Sequence, residues 1–86
     1  FSPKHIDVEG LYQDLLSVSG VSEISDLHLW TITSGAYSFS SHVLVKDSVN
    51  HHDVLASLER ILFQKYQITH TTIQIETEGE KSKRSK

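Results

Sequence analysis

At 86 residues the chain holds one small domain, since two independent hydrophobic cores would not fit. Its 37% apolar content and single proline describe a globular chain, and the absence of cysteine excludes a disulfide scaffold, a thiolate zinc finger, an iron–sulfur centre and a cysteine nucleophile. The net charge of −3 hides a split: Lys81, Lys83, Arg84 and Lys86 crowd the last six positions, leaving residues 1–80 with four bases against eleven acids, a balance that argues against a nucleic-acid partner and favours cations.

No apolar run approaches the ~18 residues of a membrane span, and no signal-peptide pattern opens the chain. A start at Phe1 reads as an excised fragment, with Phe1-Ser2-Pro3 an extended linker. From Asp7 to about Val18 the residues Val8, Leu11, Tyr12, Leu15 and Leu16 recur at helical spacing, with Asp7 as N-cap and Ser19-Gly20 as the stop. Val21 to Thr33 reads as a strand in which Leu27 and Leu29 alternate with Asp26, His28 and Trp30. Ser34-Gly35-Ala36 is a turn signal, and Phe39, Val43 and Val45 then alternate with Ser38, Ser40, His42 and Leu44, completing a hairpin. Cap residues at 47–50 open a second helix to about Tyr66, striped by Val54, Leu55, Leu58, Ile61, Leu62 and Tyr66. His70 to Thr77 is a third strand, with Ile73 and Ile75 alternating with Thr72, Gln74 and Glu76. The run 79–86 has no apolar residue to bury and is expected to be a disordered basic tail.

Helix, strand, strand, helix, strand is the order of an α+β two-layer sandwich, because two helices cover one face of a three-stranded sheet. The other face then carries Asp26, His28, Trp30, Ser40, His42, Leu44, Gln74 and Glu76. A small core gains from association, and a homodimer with this open face or its rim at the interface is the economical expectation.

Six histidines with no cysteine is the unusual count. A metal site needs nitrogen or oxygen ligands that converge within a few ångströms. His28 and His42 stand symmetric about Gly35, so a hairpin centred there sets them directly opposite, about 5 Å apart at Cβ. Glu76 on the same face of the third strand would complete a His/His/carboxylate set. The bland alternative is a pair of surface histidines. His51 and His52 at the second helix start, His70 and His5 read as solvated. There is no G-x-S-x-G turn and no phosphate-binding glycine loop, so the chain is not expected to be an enzyme.

Gly20-Val21 followed by Asp26-Leu27-His28-Leu29-Trp30 resembles the GV…DLHxW signature of the cytosolic C-terminal domain of cation diffusion facilitator transporters. Ser41-His42-Val43 resembles that family's S-x-H-V element, and residues 70–76 its H-x-T-I-Q-I-E ending; the opening at Pro3–Asp7 is similar to the exit from the last membrane helix. The likeness covers about residues 3–77 and is nearest the cobalt–zinc–cadmium resistance and vesicular zinc transporter type. It implies a ferredoxin-like, metallochaperone-like domain, with residues 1–6 a linker from a missing membrane domain and 7–78 a regulatory domain. That domain would dimerise at the cytoplasmic face of a membrane, beneath the transmembrane domain of a metal/proton antiporter. It implies zinc, or cobalt, cadmium, nickel or manganese, bound by His28, His42 and Glu76, with His52 a further ligand by likeness to other branches. Where some branches carry histidine this chain has Ser25 and Gln74, and the cysteine pair of some vesicular members is absent, so a full two-metal cluster is not implied. The alternatives are a free-standing metallochaperone, disfavoured by the lack of cysteine, and a purely structural dimerisation module.

Overall fold

A computed structural model describes residues 5–32 and 35–84, with side chains as far as Lys81. The expected linker at 1–4 and Ser34 of the expected turn lie outside the described residues. Helix α1 (Val8–Leu16) starts where the sequence caps it: the Asp7 carboxylate accepts the Gly10 N–H at 3.2 Å. Strands β1 (Val21–Thr31) and β2 (Tyr37–Val45) pair antiparallel. Helix α2 (His51–Tyr66) opens on Asn50, whose side chain accepts the Asp53 N–H at 3.1 Å. Left-handed Gln67 (φ 57°) ends α2 and turns Ile68 into the core, with Gln67 N–H donating to Phe63 O at 3.0 Å and Ile68 N–H to Leu62 O at 2.9 Å. Strand β3 (His70–Thr77) lies parallel to β2, a pairing that needs the crossover α2 supplies.

The sheet order is β1-β2-β3, so β2 is central. Leu11 and Leu15 of α1 and Val54, Leu58 and Leu62 of α2 meet Ile24, Phe39, Val43 and Val45 of the sheet. The expected two-layer α+β sandwich is the architecture found. No helix among the described residues is long and apolar enough to cross a membrane.

Two expected boundaries are corrected. Ile6, assigned to the linker, is 7% exposed and belongs to the core. It precedes the N-cap and Leu11 is the fourth helical residue, the two positions of a hydrophobic staple. Residues 78–84, assigned mostly to a disordered tail, form helix α3 (Glu78–Arg84). Its start is a capping box: Thr77 N–H donates to Glu80 Oε1 at 2.8 Å, and Glu80 N–H donates back to Thr77 Oγ1 at 3.1 Å. Polar ties then dock it: Gly79 N–H to Asp47 Oδ1 (2.9 Å), Ser22 Oγ to Glu78 Oε2 (2.7 Å) and Lys81 Nζ to Glu23 Oε1 (3.1 Å). A search for apolar burial alone misses an element held by hydrogen bonds.

One polar clamp joins the helices. Lys65 Nζ lies 2.8 Å from Asp14 Oδ2, and the Tyr66 hydroxyl donates to the same oxygen. The Lys65 and Tyr66 bonds hold the Asp14 carboxyl below its ordinary pKa. Burial, then the bond to the Asp14 carboxylate, pushes the Tyr66 phenol up to about 12.

Candidate metal centre

The residues that carry the site's chemistry lie on the sheet face the helices leave open. Along β2, Phe39, Ser41, Val43 and Val45 are buried toward the helices, so Ser40, His42 and Leu44 face the other way. Along β3 the same alternation sets Thr72, Gln74 and Glu76 on the open face.

β1 does not alternate simply. Ile24, Leu27 and Leu29 all turn toward the core, the first two being three residues apart. Regular pleating cannot do this, and the ladder breaks between Ser25 and His28, where two residues of β1 oppose one of β2. The extra residue is Asp26, whose φ of 52° lies in the left-handed region. Aspartate is among the few side chains that tolerate that region. Ser41, 3% exposed and facing the bulge, has its hydroxyl 3.1 Å from Ser25 O and 3.0 Å from His42 O, so it serves carbonyls at the irregularity.

This register corrects the expected direct pairing of the two histidines. His28 pairs with Ser40 and His42 pairs with Ser25. The hairpin is centred one position before Gly35, as the pairs Trp30–Ser38 and Thr31–Tyr37 require, and the bulge shifts the ladder again. His28 and His42 are therefore diagonal neighbours, roughly 7–8 Å apart at Cα in a regular antiparallel pair.

The two imidazoles nevertheless share one groove of about 320 Å³, lined by Asp26, His28, Ser40, Ser41, His42, Thr72 and Gln74. Glu76 does not line it: it pairs with Leu44, one open-face position beyond Gln74, and is not without a partner of its own. His52, exposed in the first turn of α2, belongs to the helix layer and does not line it either. His5, His51 and His70 are exposed.

The donor set in the groove is right in kind for a divalent transition metal, two imidazoles and a carboxylate. It is not closed, because among the described residues no three histidine, aspartate or glutamate side chains converge on one point. Nor does any hydrogen bond or ion pair engage the side chains of Asp26, His28 or His42 among those residues, so they are available to rearrange. Asp26 was not among the expected ligands. The signal that finds it is the three-residue step from Ile24 to Leu27, which demands a bulge and an extra open-face residue.

A helix–strand–strand–helix–strand sandwich with an open face lined by histidines is a fold shared with metal-handling domains of membrane transporters. The chain belongs to one family of these: residues 3–78 match the family described as the cytoplasmic domain of cation efflux proteins. It is 40% identical over 74 residues to a probable zinc transporter protein of Dictyostelium discoideum, covering 86% of this chain and 14% of that protein. It is 39% identical over 75 residues to the metal cation efflux system protein CzcD of Cupriavidus metallidurans, covering 86% of this chain and 24% of that protein. The chain thus spans under a third of the length of either relative. Among solved structures it is similar to the metal-bound C-terminal domain of the CzcD transporter, with a TM-score of 0.79 and 39% identity over 83% of this chain and 99% of that one.

Proposed function

We propose that this domain senses a divalent cation, zinc or a chemically related metal, and dimerises as the regulatory part of an efflux transporter that exchanges metal for protons. The observation that carries this reading is the presence of His28 and His42 in one groove of the uncovered sheet face, their side chains unclaimed. The similarity to a metal-bound domain of a cation efflux protein supports it. Trp30, 46% exposed on the same face, supports a second copy as the partner of that surface.

The chemistry is reversible ligation. Imidazole must be neutral to ligate, so acid releases the metal. A bound ion supplies a charge that ties β1 to β2 across the groove. Binding that favours one arrangement of the domain shifts the population toward it, by about 2.7 kcal/mol when free metal is a hundredfold above Kd. Glu76 and His52, expected as ligands, lie outside the groove, and of the two only His52 would enter the set, from a second copy.

Calorimetric titration of the chain with zinc tests this reading. His42→Ala and His28→Ala should each weaken binding at least tenfold, about 1.4 kcal/mol. Unchanged affinity in both variants would refute it, and sedimentation as a monomer with and without zinc would refute the dimeric part.

A further inference from the structure

We propose that Asp26, and not Glu76, supplies the carboxylate ligand of the groove; this rests on the reading of the groove as a metal site. Three observations converge. Asp26 lines the groove together with both histidines, whereas Glu76 does not. Its side chain has no partner among the described residues, whereas Glu76 already has one.

The third is the backbone. Asp26 holds a φ of 52° at a β-bulge that turns Leu27 into the core while keeping Asp26 on the open side beside His28. Bulges re-aim side chains next to functional sites, and a non-glycine residue in a sparsely populated backbone region persists only where the surroundings enforce it. Here the enforcement comes from core residues on both sides, Ile24 and Leu27, and from the Ser41 hydroxyl at the Ser25 carbonyl.

The chemistry fits the placement. Two neutral imidazoles leave the full double charge of the ion uncompensated, and an anionic oxygen in the same groove offsets part of it. Aspartate has only two side-chain torsions to fix, so recruiting it from the bulge costs little conformational entropy. The site so assigned is a His/His/Asp set contributed by β1 and β2 alone, with positions left for water or a donor from elsewhere.

Calorimetric zinc titration of the chain and of Asp26→Asn, Asp26→Gly, Glu76→Gln and His42→Ala tests the assignment, with metal-free melting temperatures as the control for folding. Asparagine tolerates the left-handed region and glycine favours it, so both substitutions at position 26 keep the bulge. The expected result is at least a tenfold rise in Kd for Asp26→Asn and Asp26→Gly, with metal-free melting near that of the parent, and under threefold for Glu76→Gln. Parent-like affinity in both position-26 variants, or a larger loss from Glu76→Gln than from either, overturns the assignment while leaving the groove a metal site if His42→Ala still loses affinity. No zinc binding by the parent, or no effect of His42→Ala, overturns the groove reading itself and the assignment with it.

Discussion

Gly20 joins α1 to β1, and replacing it with alanine should be among the most damaging single-methyl changes in the molecule. Its φ is +94°, and a Cβ there would stand 2.8 Å from Val49 Cγ1 and 3.2 Å from Val49 Cβ. Carbon atoms pack best at about 3.5–4.0 Å, so the added methyl overlaps a side chain that is itself packed on the core. The backbone term is about 1–3 kcal/mol for an L-residue held at this φ. The overlap adds about 1–3 kcal/mol, the usual cost of overpacking. Reduced freedom of the unfolded chain returns about 0.4–1 kcal/mol, leaving a net loss of about 1–6 kcal/mol. A domain of this size has roughly 4–13 kcal/mol in all, so Gly20→Ala takes a large share of it. Urea denaturation at fixed protein concentration measures the loss, and a double-mutant cycle with Val49→Ala separates its parts. In the Val49→Ala background the overlap with the Cγ atoms is gone and only the milder approach to Cβ remains, so most of the overlap term should vanish, giving a coupling of about 1–3 kcal/mol. A neutral Gly20→Ala, or a cycle with zero coupling, would show that the helix–strand junction is not the constrained turn described.

The Asp14 clamp predicts two limits of pH. The carboxyl is held below 3.8, so its contribution is present above that pH and is lost as pH falls further; the phenol is raised from 10 to about 12, so its contribution is present below pH 10 and is lost as pH rises through 12. Melting temperature against pH should show both losses, and Asp14→Asn should flatten the acid arm and bring the Tyr66 titration, followed by ultraviolet absorbance, back toward pH 10. Thr77→Ala breaks the capping box of α3 and should cost about 1 kcal/mol, read as faster amide exchange at 78–84 with the amides of Leu58 and Leu62 still protected. Unchanged exchange at 78–84 would mean that the tertiary ties to Asp47, Ser22 and Glu23 hold α3 without its cap.

Periodicity located both major helices and all three strands because burial imposes a repeat of 3.6 on Leu11, Leu15, Val54, Leu58 and Leu62 and a repeat of two on Phe39, Val43 and Val45. The capping residues Asp7 and Asn50 could be read for the same reason: an exposed helix start needs an acceptor within three residues. Helix α3 was equally legible as Thr77-x-x-Glu80, a local hydrogen-bonding signal that the polar composition of 78–84 masks. His28 and His42 were legible as candidate ligands from residue type and family likeness, and they do share a groove.

What the sequence by itself determined was therefore the elements, the layer arrangement and which face would carry His28 and His42, all consequences of side-chain alternation along each strand. The pairing across strands was decided only in three dimensions. Alternation assigns a residue to a face but says nothing of its rank along the neighbouring strand, and one bulge between Ser25 and His28 shifts every partner beyond it. That shift separates His28 from His42 by a diagonal and brings Asp26 into their groove, while the unbroken β2–β3 register leaves Glu76 opposite Leu44. The bulge exists because Ile24 and Leu27 must both reach the core from positions three apart, so the packing of the buried face fixes which donors meet on the exposed one.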